Sequence, residues 1–200
     1  MKKLSLLLII MVVFISGCSF KDLFIKENIE EELLSGKINV LMEVKDYGNI
    51  KLELDADTAP ITVTNFVNLI ESKFYDGLTF HRIMDGFMIQ GGDPDHNGNG
   101  GSNKTIKGEF SSNGIKNDIS HTRGVISMAR AQDPNSASSQ FFIVHQDSTF
   151  LDGNYAAFGK VIEGIEVVDK IALVSKMAID DNGTIPFENQ PVITSIKVIE

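Results

Sequence analysis

The sequence predicts a mainly β fold, a closed antiparallel barrel accompanied by two α-helices. From residue 38 onward, short runs rich in Val, Ile and Phe are separated by turns that contain Gly. Only two stretches of that part repeat apolar residues at helical spacing. The chain has 200 residues, of which 42% are hydrophobic, so one domain with a full core is expected.

The predicted strands are short and follow one another closely. Asp46-Tyr47-Gly48-Asn49 is typical of a hairpin turn and joins the first two strands. Polar stretches rich in Gly or Asn, at residues 95–107 and 109–122, are expected to be loops. We expect strands at residues 38–44, 50–54, 80–84, 87–91, 125–129, 140–145, 156–161 and 192–199.

The two predicted helices lie between these strands. The first begins at Thr58-Ala59-Pro60, with Asp57 or Thr58 as N-cap and Pro60 in the first turn. Apolar residues then recur at helical spacing as far as Phe74, so one face is expected to be buried. The second helix is expected to begin near Ile165 and to end near Ser175.

Arg82 is an unusual residue for a plain strand. Strand alternation places it on one face with Phe80 and Met84, while His81 and Ile83 share the other. After the Asp85-Gly86 turn, the same rule pairs Phe87 with Ile89 and Met88 with Gln90. A guanidinium stays charged and cannot act as an acid or base near neutral pH, but it can donate hydrogen bonds inside an apolar pocket. The alternative is a surface arginine whose stem is packed and whose head is in water.

A second run, Ser138-Ser139-Gln140-Phe141-Phe142-Ile143, again places an amide beside large aromatic residues. Two such runs predict a groove with an aromatic floor and a few polar groups, which is typical of a ligand site.

Several segments, in this order, resemble the cyclophilins, the cyclosporin-binding family of peptidyl-prolyl cis–trans isomerases. The resemblance covers residues 38–200. It implies an eight-stranded barrel with a helix at each end, and isomerase activity on X-Pro peptide bonds. The segments are Phe-His-Arg-Ile-Met-Asp-Gly-Phe-Met-Ile-Gln-Gly-Gly-Asp at residues 80–93, Gly98-Asn99-Gly100-Gly101, Gly124-Val125-Ile126-Ser127-Met128-Ala129, Ser139-Gln140-Phe141-Phe142-Ile143, Phe150-Leu151-Asp152-Gly153 and Phe158-Gly159-Lys160-Val161.

The resemblance also implies roles for single residues. Arg82 would donate toward the prolyl nitrogen, and Gln90 would hold the substrate carbonyl and orient the arginine. Four apolar residues would form the seat for the prolyl ring: Phe87, Met88, Phe142 and Leu151. The catalytic residues implied are Arg82, Phe87 and Gln90. The substrate-binding residues implied are Met88, Ala129, Arg130, Gln140, Phe142, Phe150, Leu151 and Tyr155.

Three positions depart from the pattern of many family members. Arg130 replaces an Asn that is often found there, so the local charge preference is expected to change. Phe150 stands where many members carry Trp, and Tyr155 where many carry His. The donor and the seat remain, so activity is expected while inhibitor affinity is expected to differ.

Other kinds of function are not supported by the composition and motifs. A formal charge of −9 argues against nucleic acid as a partner. The four His residues do not pair at metal-ligand spacing, so no metal is expected. No Gly-x-Ser-x-Gly motif indicates a hydrolase, and no Gly-Lys-Ser/Thr follows the glycine run to bind phosphate. Rotation about a peptide bond breaks no covalent bond, so no cofactor is expected either.

The N-terminal residues 1–17 are predicted to be a lipoprotein signal peptide. Lys2 and Lys3 precede a mostly apolar run at residues 4–15, which is too short for a comfortable membrane span. Ile15-Ser16-Gly17-Cys18 resembles the lipobox of bacterial lipoproteins, in which the Cys is lipidated. Cys18 is the single Cys of the chain, so an internal disulfide is excluded. The alternative is an ordinary signal peptide with an incidental Cys.

Residues 18–37 are predicted to be a lipid-anchored tether, partly ordered, which would hold the domain off the membrane. The alternative is a first helix that packs on the domain at residues 38–200.

These features together predict a monomeric prolyl isomerase, lipid-anchored to a bacterial cell membrane outside the cytoplasm, that assists the folding of exported X-Pro-containing polypeptides. Two other readings are a non-catalytic chaperone module that binds proline segments and a structural envelope protein with an idle fold.

Overall fold

The computed structural model describes residues 32–200, and residues 33–200 form one compact unit. The predicted signal peptide, Cys18 and most of the predicted tether lie outside the described residues. The strands are β1 (Lys37–Val44), β2 (Gly48–Asp55), β3 (Phe80–Met84), β4 (Met88–Gly91), β5 (Val125–Met128), β6 (Phe141–Val144), β7 (Ala157–Glu163) and β8 (Ile193–Ile199). The α-helices are α1 (Pro60–Glu71) and α2 (Ile165–Ala172).

The mainly β prediction is confirmed. The eight strands form one curled antiparallel sheet in the order β3-β4-β6-β5-β7-β2-β1-β8. The second helix is shorter than predicted, because the chain tightens into a 3₁₀ helix at Leu173–Met177. No helix within residues 32–200 is both long and apolar enough to cross a membrane.

The prediction of a closed barrel is wrong. The outer strands β3 and β8 are not paired along their length. Only the residues at their N-terminal ends meet, through a bridge between Thr79 and Val192 and the backbone hydrogen bonds beside it. The free edge of β3 is instead occupied by a later loop. Ile83 N donates to Gly183 O at 2.8 Å, and Ile185 N donates to His81 O at 2.9 Å. Because these groups are already paired, β8 cannot extend a ladder along β3.

A register shift in β3 changes the predicted faces of this strand. The pairing with β4 shifts between Phe80 and Arg82, so alternation is interrupted there. Phe80 and Ile83 both enter the main core, and Arg82 does not share a face with Phe80. Phe87 precedes β4 and packs with Met88 rather than with Ile89, contrary to the prediction.

The N-terminus of α1 also differs from the prediction. The N-cap is Ala59, and Pro60 is the first helical residue. Thr58 Oγ1 donates to Asp55 and Asp57 Oδ1 accepts from Gly36 N, so both predicted caps are engaged elsewhere. The buried carboxylate of Glu109 caps the helix from a distant loop.

Two apolar clusters lie on opposite faces of the sheet, and β6 contributes to both. Phe141 and Ile143 enter the main core, where Phe66, Tyr75 and Phe158 also pack. Phe142 and Val144 face the other way and join a smaller cluster with Met88 and Leu151. The strand period of two thus places Phe142 outside the main core, on the face that carries the candidate site.

Candidate active site

A cavity of about 130 Å³ lies over the smaller apolar cluster. Nine of the eleven residues that the sequence assigns to the groove line it. Gln140 lies in an adjoining cavity, and Phe150 stands at the outer side of Phe87. The lining residues are Arg82, Phe87, Met88, Gln90, Ala129, Arg130, Phe142, Leu151 and Tyr155.

Arg82 is the cation within this apolar surrounding. Its Nε donates to Asn182 O at 2.8 Å, and its Nη1 donates to Gln90 Oε1 at 3.1 Å. Its Nη2 lies 3.2 Å from Met84 Sδ, and its Cζ lies 6.0 Å from the centre of the Phe87 ring. Burial lowers the pKa of Arg82, yet a guanidinium starts so high that it stays charged at neutral pH. The donor is therefore fixed in direction and in charge.

Gln90 and Gln140 continue the hydrogen-bond chain away from Arg82. Gln90 Nε2 donates to Gln140 Oε1 at 2.9 Å. Gln140 Nε2 in turn donates to Gly100 O at 2.8 Å and to Gly98 O at 3.1 Å. The backbone of the glycine run thus fixes the orientation of the Gln140 amide. Gln140 in turn orients the amide of Gln90, which accepts a hydrogen bond from Arg82.

Arg130 lines both the cavity of about 130 Å³ and the adjoining cavity that contains Gln140. Its Nε and Nη2 donate to Asn154 O at 3.0 and 2.9 Å. Its Cζ lies 4.7 Å from the centre of the Tyr155 ring and 5.2 Å from that of Phe110. Cation–π contacts with two rings help to fix the position of the guanidinium.

The floor of the cavity is supported from below by a buried histidine. The His121 ring stacks on Phe142, with ring centres 6.0 Å apart and planes inclined by 18°. One ring nitrogen contacts Asp152 Oδ1 at 2.8 Å and the other contacts Ser127 Oγ at 3.0 Å. Burial lowers the pKa of His121, although Asp152 acts in the opposite direction. Ser127 is fully buried, so this Asp-His-Ser set cannot reach a substrate as a hydrolase triad would.

The sequence reasoning missed several residues around the site. Asn182 fixes Arg82 through its backbone carbonyl, and a carbonyl leaves no signal in a residue type. Gly98 and Gly100 belong to the noted glycine run, but their role as acceptors for Gln140 was not predicted. His121 and Asp152 are 31 residues apart and meet only in the folded chain.

No group of three His, Cys, Asp or Glu side chains that could hold a metal is found among residues 32–200. The expectations that neither a metal nor a cofactor takes part therefore stay predictions.

The fold and the site together define a class of protein. Its members have a curled antiparallel sheet on which a charged hydrogen-bond donor, here Arg82, lies beside an apolar cavity. Comparison with known proteins identifies the class. The family model described as cyclophilin type peptidyl-prolyl cis-trans isomerase/CLD matches residues 39–198. The chain therefore belongs to the cyclophilin-type peptidyl-prolyl cis–trans isomerases, and the enzyme class predicted from the sequence is confirmed.

Individual relatives agree with this membership. Peptidyl-prolyl cis-trans isomerase A of Dickeya dadantii is 43% identical over 166 residues, covering 76% of this chain and 80% of that protein. A peptidyl-prolyl cis-trans isomerase of Acinetobacter baylyi is 43% identical over 171 residues, covering 80% and 86%. A crystal structure of a cyclophilin type isomerase of Cryptosporidium parvum superposes with a TM-score of 0.71 at 30% identity, covering 82% of this chain and 99% of that one.

Proposed function

We propose that this isomerase binds X-Pro segments of exported polypeptides in the groove over Phe142, and that Arg82 stabilises the twisted peptide bond. The observation that carries the proposal is the Arg82 guanidinium, which Asn182 O and Gln90 Oε1 hold at the edge of an apolar cavity. A second Cryptosporidium parvum structure, similar at a TM-score of 0.70 and 31% identity, was determined in the presence of the dipeptide Ala-Pro. A proline-containing peptide is thus a reasonable ligand for the corresponding groove here.

The chemistry needs binding rather than bond breaking. Rotation of an X-Pro bond crosses a barrier of about 18–20 kcal/mol. In the twisted transition state the amide loses resonance, and the pyramidal nitrogen gains a lone pair that accepts a hydrogen bond. The planar ground state is the more dipolar form, so an apolar seat favours the twisted one. A donor that is stronger toward the twisted amide than toward the planar one lowers the barrier.

The test is isomerisation of a short proline peptide by the full-length protein in detergent, followed by NMR exchange between the cis and trans resonances. We expect exchange to accelerate in proportion to enzyme concentration. A non-catalytic chaperone module would shift or broaden the peptide resonances by binding without accelerating exchange, and that outcome would overturn the proposal. An idle structural fold would do neither.

We propose further that Cys18 carries a lipid that holds the protein at the outer side of a bacterial cell membrane. The support is the charged start, the short apolar run and the small residues before the single Cys. Two or three acyl chains give stable attachment, whereas one alone is marginal.

Replacing Cys18 with Ser and fractionating the cells tests the anchor. We expect the Cys18→Ser variant to leave the membrane fraction. If it stays as firmly bound as the parent protein, the anchor lies elsewhere.

The proposal also includes a monomer that binds no nucleic acid. Sedimentation of the detergent-solubilised protein and a nucleic-acid shift assay test these two points.

A further inference from the structure

We propose that Arg130 makes the groove selective for proline segments that carry an acidic side chain close to the proline. The inference rests on the proposed function and specifies its substrate class. It starts from charge. The whole chain is acidic, with 27 Asp and Glu against 18 Lys and Arg, yet the groove is not.

Three neighbouring cavities share Arg130. The first is the prolyl cavity, the second adjoins it across Gln90 and Ala129, and the third adjoins it across Arg82. Among the described residues, no Asp or Glu side chain lines any of the three. Two arginines are therefore the charged side chains of a continuous concave surface in an acidic protein. Concave surfaces of one sign concentrate ligands of the opposite sign.

The charge of Arg130 is held in place rather than neutralised. Its partners are the carbonyl oxygens of Asn154, Ala131 and Gln132, together with two aromatic rings. Neither Arg130 nor Arg82 forms an ion pair with a carboxylate of residues 32–200. Within the same part of the chain, Nη2 has one acceptor, so one of its two N–H groups is left for a ligand.

The second cavity is the place where a neighbouring side chain would lie. It has a volume of about 210 Å³, and its remaining lining is small or polar, including Asn99, Ser136 and Gln140. A carboxylate there would meet a fixed guanidinium and amide or hydroxyl groups. A lysine would meet a like charge, and no carboxylate is among the residues that line this cavity. Arg130 is thus assigned as a specificity-determining residue, and the ligand it selects is an acidic proline peptide.

The experiment compares peptides that differ in one side chain. Short blocked peptides carry Glu, Gln or Lys in turn at each of the two positions before proline and at the position after it. The full-length protein in detergent is used, and kcat/KM is measured by NMR exchange. At one position at least, we expect kcat/KM for the Glu peptide to exceed that for the Lys peptide by about tenfold at low salt. This ratio should be smaller in 0.5 M NaCl, because salt screens the attraction between charges. The screening length is roughly 10 Å at about 0.1 M salt and becomes shorter as the salt concentration rises.

Two variants locate the effect. In Arg130→Gln the Glu-to-Lys ratio should fall to within about twofold of one. Lys160→Gln removes the same charge from an exposed position on β7 and should keep the parent ratio. A ratio that survives Arg130→Gln, or that falls equally in Lys160→Gln, would overturn the assignment to Arg130.

The outcomes separate this inference from the function on which it rests. Equal turnover of the Glu, Gln and Lys peptides at every position overturns the selectivity and leaves the isomerase intact. If the parent protein turns over no peptide, the proposed function fails. The charge preference can then still be measured as the difference in affinity between the Glu and Lys peptides, determined from chemical shifts. Equal affinity for Glu and Lys peptides would overturn the inference there as well.

Discussion

The Nη1 atom of Arg82 lies 3.1 Å from Oε1 of Gln90, on the neighbouring strand and in direct register with it. The pair ties the Arg82 donor of the candidate site to the hydrogen-bond chain that runs through Gln140 to the glycine loop. A long, flexible side chain is thereby held in one direction before a substrate arrives. Such preorganisation costs nothing at the moment of reaction, which is why the loss of a single donor is expected to matter.

Arg82→Ala should therefore cut kcat/KM about 100-fold or more, because one preorganised donor contributes roughly 2.7–4 kcal/mol in comparable oxyanion sites. NMR exchange on a short proline peptide measures the change. Arg123→Ala is the matched control, since Arg123 pairs with Asp169 and does not line the cavity. Near-parental turnover in a folded Arg82→Ala protein would contradict the proposed mechanism.

Phe150→Trp should raise the affinity for cyclosporin roughly 10- to 150-fold. Phe150 is 71% exposed, and its ring lies 5.5 Å from that of Phe87, at the rim of the groove. An indole adds apolar area and an N–H donor that Phe lacks. Short peptides depend less on this wall, so their turnover should change less than the inhibition constant. Titration of both proteins in one assay decides the matter, and equal inhibition constants would show that Phe150 is not responsible.

Glu109→Gln should lower the free energy of unfolding by about 2–3 kcal/mol. Glu109 is 1% exposed, and its two oxygens accept from Ile61 N at 3.0 Å and from Thr62 N at 2.7 Å. The amide nitrogen of Gln cannot accept, so one backbone donor of α1 loses its partner and the charge at the helix N-terminus is lost. Urea titration at neutral pH measures the change. Glu43→Gln, at an exposed position on β1, should stay within about 0.5 kcal/mol of the parent. Equal stabilities of the two variants would refute the cap.

His81 should make stability fall as the pH drops from 6.5 toward 4. Burial lowers its pKa from 6.5 to about 4, and Asp93 only partly opposes this. Neither ring nitrogen has a hydrogen-bond partner among residues 32–200. The unfolded chain takes up the proton near pH 6.5 and the folded chain near pH 4. Acid in that window therefore favours unfolding, by roughly 3 kcal/mol once both values are passed.

Urea titrations between pH 7.5 and 4 measure this slope. His81→Gln should flatten it, and His121 accounts for a remaining part, because its pKa is also lowered by burial. Asp55 and Asp93, whose pKa values are lowered, also reduce stability below about pH 5, so the slope assigned to His81 is the part between pH 6.5 and about 5. A slope unchanged in His81→Gln would rule out this histidine as its source.

Local patterns in the sequence predicted the structural features that depend on residues close together in the chain, namely turns and strands. The hairpin at Tyr47 and the turn at Gly86 follow from turn residues, and the strand character of 80–91 follows from its apolar residues. The faces of Phe80 and Arg82 did not follow, because a one-residue register shift at a bulge inverts the alternation and leaves no mark in composition.

Long-range partners account for the other misses. Glu109 caps a helix whose second residue, Ile61, lies 48 residues earlier, and residues 183–185 pair with the edge of β3, about 100 positions away. Most groove residues could be assigned from the resemblance because side chains carry the chemistry there. The supports of Arg82 could not be fully assigned, because one of them is a backbone carbonyl.

The carbonyl of Asn182 that holds Arg82 belongs to the last tenth of the chain, 100 residues beyond the arginine. All the residues that line the cavity therefore precede, along the chain, the carbonyl that holds Nε of the arginine. The segment that contains this carbonyl also shields the outer edge of β3, whose unpaired groups would otherwise be open to another strand. One short segment, residues 182–185, thus both holds the donor and covers the edge of β3, so a change of its backbone would disturb the active centre and open that edge at the same time.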